Sequence, residues 1–183
     1  NWISYNQGAE IVQTENSDPG LMFGSNNFDN VDFEGTFFIN DHSDDDFVGF
    51  VFAYQSNRKF YLVSWKKASQ EYWETTPFTA NGLPGITLKY VDSSTGPGAK
   101  MANSLWHTCD VENEVKVLWK DPKAFGWKSK VAYRWKLIHR PVIGLIRVRI
   151  FDGTEMIADS GNIFHSELKG GRLGLYCYSQ ELI

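Results

Sequence analysis

VAYRWKLIHRPVIGLIRVRIFD, residues 131–152, decides the fold class of this 183-residue chain. Within Val131–His139, Tyr133, Trp135 and Leu137 alternate with Arg134 and Lys136. Within Leu145–Asp152, Ile146, Val148 and Ile150 alternate with Arg147 and Arg149. A period of two sends alternate side chains to opposite sides of an extended chain, so each segment is a strand with one apolar and one polar face. The basic side chains read first as the solvated face.

Outward from this stretch the same grammar continues. Short apolar runs are interrupted roughly every ten residues by Gly, Pro, Asn or Asp. Further strands are expected at Ile11–Thr14, Leu21–Gly24, Val31–Asn40, Phe47–Gln55, Phe60–Trp65, Tyr72–Thr75 and Ile86–Val91, then at Val115–Trp119, Met156–Asp159 and Leu173–Ser179. Phe47–Tyr54 is apolar on both faces, the signature of a strand covered from both sides. No segment sustains a period of 3.6, and Lys100–Leu105 has room for one helical turn at most. The pattern specifies one all-β domain over residues 1–183, a sandwich or jelly roll.

Composition narrows the function. Seven Trp, eight Tyr and thirteen Phe favour pleated, half-buried surfaces. A net charge of −4, with no basic block, argues against nucleic acid, whose phosphates require a cationic face. No apolar run approaches the roughly 20 residues that span a bilayer, so membrane insertion is not expected. Cys109 and Cys177 are too few for a disulfide framework. Cys177 is in phase with Leu173 and Leu175 and reads as core-facing, Cys109 reads as a loop residue, and whether they bond is left open by the sequence.

The densest acidic feature is the loop from Asn40 to Asp46, with Asp44, Asp45 and Asp46 in succession. Adjacent carboxylates repel unless a cation relieves them, and no Lys or Arg occurs from Asn1 to Asn57. Calcium, which takes six to eight oxygens in flexible geometry, suits such a turn; a hydrated acidic turn is the alternative. The spacing is not that of an EF-hand, because Val48 and Gln55 stand where ligands would be required. Extended alternation would part Asp45 from Asp44 and Asp46, so shared coordination needs a curled turn.

Asp32 and Glu34 form a second acidic pair on one strand face, readable as glycosidase carboxylates or as an ion-paired surface. The four histidines are dispersed, His107 and Cys109 fall short of a zinc set, and no nucleophile elbow or phosphate-binding glycine loop occurs. The expectation is a binding module, not an enzyme.

Specific strings add to this reading. NWISYNQGAEIVQTENSDPGL, VDFEGTF, DDDFVGFVFAYQ, SSTGPG, LWHT, LWKDP, GWK, AYRW, HRP and GGRLG occur in this order from Asn1 onward. Together they closely resemble the C-terminal domain of the thrombospondins over the whole chain. The resemblance implies an L-type lectin-like β-sandwich secreted into the extracellular matrix. It implies calcium (Ca2+) held by the acidic loop, matched by Asn40, Asp44, Asp45 and Asp46. It also implies partners among cell-surface receptors and extracellular matrix proteins, and packing against upstream calcium-binding repeats of the same chain.

Two segments match proposed receptor contacts of the family: Lys59–Lys66, including Lys59, Phe60, Tyr61, Trp65 and Lys66, and Ile146–Phe151, including Arg147 and Arg149. The family's Val-Val-Met triplet is replaced here by Leu62-Val63-Ser64, and both segments alternate as core strands do. The family domain continues into one more strand and a cysteine, so truncation at the C-terminal end is expected. The leading expectation is an extracellular calcium-binding adhesion module; the alternative is a carbohydrate-binding lectin or jelly-roll glycosidase on the same sandwich.

Overall fold

Both faces of the strand that begins at Phe47 are buried, and the two layers covering it define the architecture. The computed structural model describes residues 1–40 and 43–183. Its strands begin with β1 (Trp2–Tyr5), β2 (Glu10–Gln13), β3 (Gly20–Phe28), β4 (Val31–Phe38) and β5 (Phe47–Ser56). Next come β6 (Lys59–Lys66), β7 (Gln70–Glu71), β8 (Asn81–Gly82) and β9 (Gly85–Asp92), followed by the helix α1 (Ala99–Trp106). The chain continues through β10 (Val115–Lys120), β11 (Ala132–Arg140), β12 (Leu145–Asp152), β13 (Glu155–Asp159), β14 (Ile163–Phe164) and β15 (Gly171–Tyr178).

A six-stranded antiparallel sheet in the order β10-β9-β6-β5-β15-β3 packs on a second sheet in the order β13-β12-β11-β4, with β14 also pairing with β12. This is the expected all-β sandwich. The inner core joins Val48, Phe50 and Phe52 of β5 and Tyr61, Val63 and Trp65 of β6 to Tyr133, Trp135, Leu137, Ile146, Val148 and Ile150 of the facing sheet. Apolar positions of β11 and β12 thus point inward as their alternation requires. A second core lies on the outer face of the six-stranded sheet. There Phe47, Val51, Phe60, Leu62, Tyr176 and Tyr178 pack beneath Met101, Leu105 and Trp106 of α1. That second layer is why β5 is apolar on both sides.

Two local expectations are corrected. Tyr72–Thr75 is not a strand; the short ladder is Gln70–Glu71 with Asn81–Gly82, and Tyr72 is an anchor packed on Trp106 and Tyr178. A loop pinned by an aromatic side chain carries the same local signal as a short strand. The helix has eight residues instead of a single turn. A helix this short is unstable alone. Here its apolar side is buried and Lys89 of β9, itself fully buried, donates to the carbonyl oxygens of Leu105 (2.6 Å) and His107 (2.9 Å) at its C-terminal end. Cys109 is exposed and Cys177 buried, both free thiols.

His139 lies on the inner face of β11, edge-on to Phe52 (5.2 Å between centroids) and Tyr61 (5.8 Å). Its Nε2 has no hydrogen-bond partner among the described residues. Burial, aided by the neighbouring Arg140 charge, pushes its pKa down to about 4. The unfolded chain therefore binds a proton that the folded one refuses, and stability falls as pH drops from about 6.5 to about 4, by up to ~1.4 kcal/mol per pH unit. Urea unfolding across that range should show a shallower slope for His139→Leu; equal slopes would exclude His139 as the source.

Candidate metal centre

The acidic loop is the crossover from β4 in one sheet to β5 in the other. Asp44 and Asp45 are half-buried, Asp46 is 3% exposed, and their nearest ligating oxygens all lie within 4.8 Å of one another. The turn is therefore curled, bringing together three carboxylates that an extended strand would separate. Asp41 and His42 of the same loop lie outside the described residues.

Several elements hold the turn. The Asp46 N–H donates to Gln180 Oε1 (3.1 Å), and the Asp46 carbonyl accepts from Trp127 Nε1 (3.0 Å). Asn16 Nδ2 donates to Asp44 Oδ2 (2.8 Å), and Asp45 N–H to Asp44 Oδ1 (2.9 Å). At the loop's edge, the Asn40 N–H donates to the Leu182 carbonyl (2.8 Å).

The counter-charge missing from the local sequence arrives through strand pairing. Antiparallel register sets Phe47 opposite Lys66, so the end of β6 runs beside the acidic turn. Lys66, with no exposed side-chain surface, donates through Nζ to Asp46 Oδ1 (2.6 Å), the Asp45 carbonyl (3.1 Å) and Gln70 Oε1 (2.9 Å), and lies 3.4 Å from Asp45 Oδ1. Its ammonium also sits over the rings of Trp106 (4.7 Å) and Phe47 (5.3 Å). Lys67 Nζ donates to the Asp44 carbonyl (3.0 Å). Burial pushes the Asp46 carboxyl above its usual range, against the opposing pull of Lys66. Among the described residues, the three carboxylates gather with Lys66 on two of them and Lys67 on a backbone carbonyl, and the ligating atoms they offer are hard oxygens. Such a set suits calcium or another hard divalent cation, with Lys66 competing for Asp45 and Asp46.

The other expected contact residues are mostly inaccessible. Phe60, Tyr61, Trp65 and Lys66, matched to receptor contacts, are buried, as the core-strand alternation of their segment requires: the first and last face the α1 layer, and the other two the inner core. Lys59 reaches solvent and pairs with Asp92 (3.3 Å). Arg147 grips Asp159 at two points (Nε–Oδ1 3.0 Å, NH2–Oδ2 2.6 Å), holding that carboxyl below its usual range, while Arg149 is half-buried beside it. The pair once readable as catalytic carboxylates is engaged separately: Asp32 with Arg140 (2.9 Å) and Glu34 with Lys136 (2.6 Å). Lys66 and Lys89 were missed as structural residues because alternation assigns polar positions to solvent, whereas α1, with β7 and β8 beside Lys66, closes over them.

Comparison with known proteins agrees with this architecture. The structure is similar to the carbohydrate binding module CBM66 from Bacillus subtilis, with a TM-score of 0.62 and 10% identity over 98% of this chain and 84% of that one. At that identity the likeness concerns the fold alone. Over all 183 residues the sequence is 57% identical to thrombospondin-4-B of Danio rerio, covering 19% of that protein. It is 55% identical to cartilage oligomeric matrix protein of Homo sapiens, covering all of this chain and 24% of that protein. The chain thus spans about a fifth to a quarter of the length of these relatives. The family model for the thrombospondin C-terminal region matches residues 1–183, and the chain belongs to that family.

Proposed function

We propose that this domain is a non-enzymatic, calcium-binding adhesion module of a secreted extracellular matrix glycoprotein. Its partners are cell-surface receptors and matrix proteins, and upstream calcium-binding repeats of its own chain pack against it. The observation that carries the reading is the convergence of Asp44, Asp45 and Asp46 on the crossover between the sheets. These three residues hold the ion, with Asn40 at the edge of the loop. Bound calcium supplies the positive charge and oxygen coordination that fix this crossover. Lys66 and Lys67 keep the turn folded when calcium is scarce. Among the strand residues matched to receptor contacts, Lys59, Arg147 and Arg149 have the exposure to meet a partner.

Thermal unfolding in calcium and in chelator tests this reading. An ion that binds only the folded state adds about 2.7 kcal/mol at a hundredfold excess over Kd. The melting temperature is expected to rise with calcium, and Asp44→Asn/Asp46→Asn is expected to flatten the rise. Identical melting in both conditions, or a full shift in the double variant, would remove the metal site.

A further inference from the structure

A concave surface distinct from the acidic turn's carboxylates lies on the outer side of the six-stranded sheet. A cleft of about 540 Å³ opens where α1 stops covering that sheet. This is within the size range of small-ligand pockets. Phe60 and Tyr176 line it from the sheet, Met101 and Leu105 from α1, and Tyr72 and Trp73 from the loop between β7 and β8. Trp73 is 78% exposed although its neighbour Tyr72 is buried. An indole standing in solvent beside an apolar cleft is a surface for a ligand to cover.

The polar groups of the cleft select the ligand's chemistry. Asn103 is fully buried and spends its Nδ2 on the carbonyls of Glu74 (2.8 Å) and Phe78 (2.6 Å). Its Oδ1 has no hydrogen-bond partner among the described residues, nor does Oη of the buried Tyr176. An amide oxygen only accepts, so the group that satisfies it must donate. Asp18 and Glu74 also line the cleft, the latter with Oε1 accepting from the Thr76 N–H (2.9 Å), and among the described residues no Lys, Arg or His does so. The nearby cations are engaged elsewhere: Arg58 donates to the Ser94 carbonyl (3.1 Å) and Lys100 pairs with Glu114 (3.5 Å). An apolar floor, an exposed indole, an unmet acceptor and two carboxylates together match a cation carried on an aliphatic stem.

We propose that the cleft between α1 and Trp73 receives a lysine or arginine side chain of a partner protein. The stem lies on Phe60, Met101 and Leu105, and the charged head donates to Asn103 Oδ1 while facing Glu74 and Asp18. The inference rests on the reading of the domain as a protein-binding module and adds to it a location and a partner chemistry.

The test is an NMR titration of the 15N-labelled chain with the acetylated, amidated tripeptides Gly-Arg-Gly and Gly-Lys-Gly, with Gly-norleucine-Gly as the uncharged control. The indole N–H of Trp73 and the side-chain amide of Asn103 report on the cleft. Saturable shifts are expected from both cationic peptides, with the norleucine control weaker by at least about tenfold. Trp73→Ala and Glu74→Gln, both at accessible positions, are expected to weaken binding with the rest of the spectrum preserved. The proposal falls if millimolar peptide gives no saturable shift, if norleucine binds equally, or if Trp73→Ala binds as wild type. It also falls if methyl β-galactoside moves these signals and the cationic peptides do not. A calcium-dependent melting shift that persists alongside failed titrations would sink the cleft alone and leave the calcium-binding module standing.

Discussion

Replacing Lys66 with methionine is expected to destabilise the domain by about 3–5 kcal/mol in chelator, because it leaves a buried charge without its partner. Lys66 has no exposed side-chain surface and Asp46 is 3% exposed, so water cannot replace the lost ammonium without opening the site. The protein groups that now receive Nζ, among them Asp46 Oδ1, the Asp45 carbonyl and carboxylate and Gln70 Oε1, would lose their donor together. Methionine fits the aromatic surroundings of Phe47 and Trp106, which isolates the effect of charge from that of volume. If the turn holds calcium as proposed, calcium should narrow the deficit, since the ion would neutralise the same carboxylates without competition from Lys66. Paired urea titrations of wild type and variant, with and without calcium, measure this. A loss below about 1 kcal/mol in chelator would show that the pair contributes little net stability.

Trp135→Ala should cost a similar ~3–5 kcal/mol through a different mechanism, the cavity left by a large core ring. Trp135 is stacked on Phe50 (4.3 Å between centroids) and edge-on to Phe33 (4.4 Å), tying β11 to both sheets. Gly35, its register partner on β4, is part of the same contact: a Cβ there would come within 2.7 Å of Trp135 Cε2. Gly35→Ala should therefore destabilise the wild type by overpacking and cost markedly less in the Trp135→Ala background. Chemical unfolding of the two single variants and the double variant gives the coupling. Additive losses would mean that Gly35 does not make room for the indole, and a loss below about 1 kcal/mol for Trp135→Ala would mean that the surrounding rings close over the gap.

Local sequence pattern carried the positions of most long strands. Tyr133, Trp135 and Leu137 against Arg134 and Lys136, or Ile146, Val148 and Ile150 against Arg147 and Arg149, oblige an extended chain to place apolar side chains on one face, whatever lies opposite. Phe47–Tyr54, apolar at every second position in both phases, likewise announced cover on both sides. The acidic loop was visible as a run of Asp, but its relief was not, since Lys66 and Lys67 reach it only through the β5–β6 register.

What the sequence by itself determined is the all-β class, the faces of the core strands and the family to which the chain belongs, each set by contiguous residues read in order. Tertiary structure alone decided which polar residues are buried. Strand alternation distinguishes the two faces of a sheet but not what lies against each, so Lys66 and Lys89 read as solvated until α1 folds over them. It also decided that three consecutive aspartates converge, because a curled turn is held by partners at Asn16, Trp127 and Gln180, distant in sequence and adjacent only in the fold.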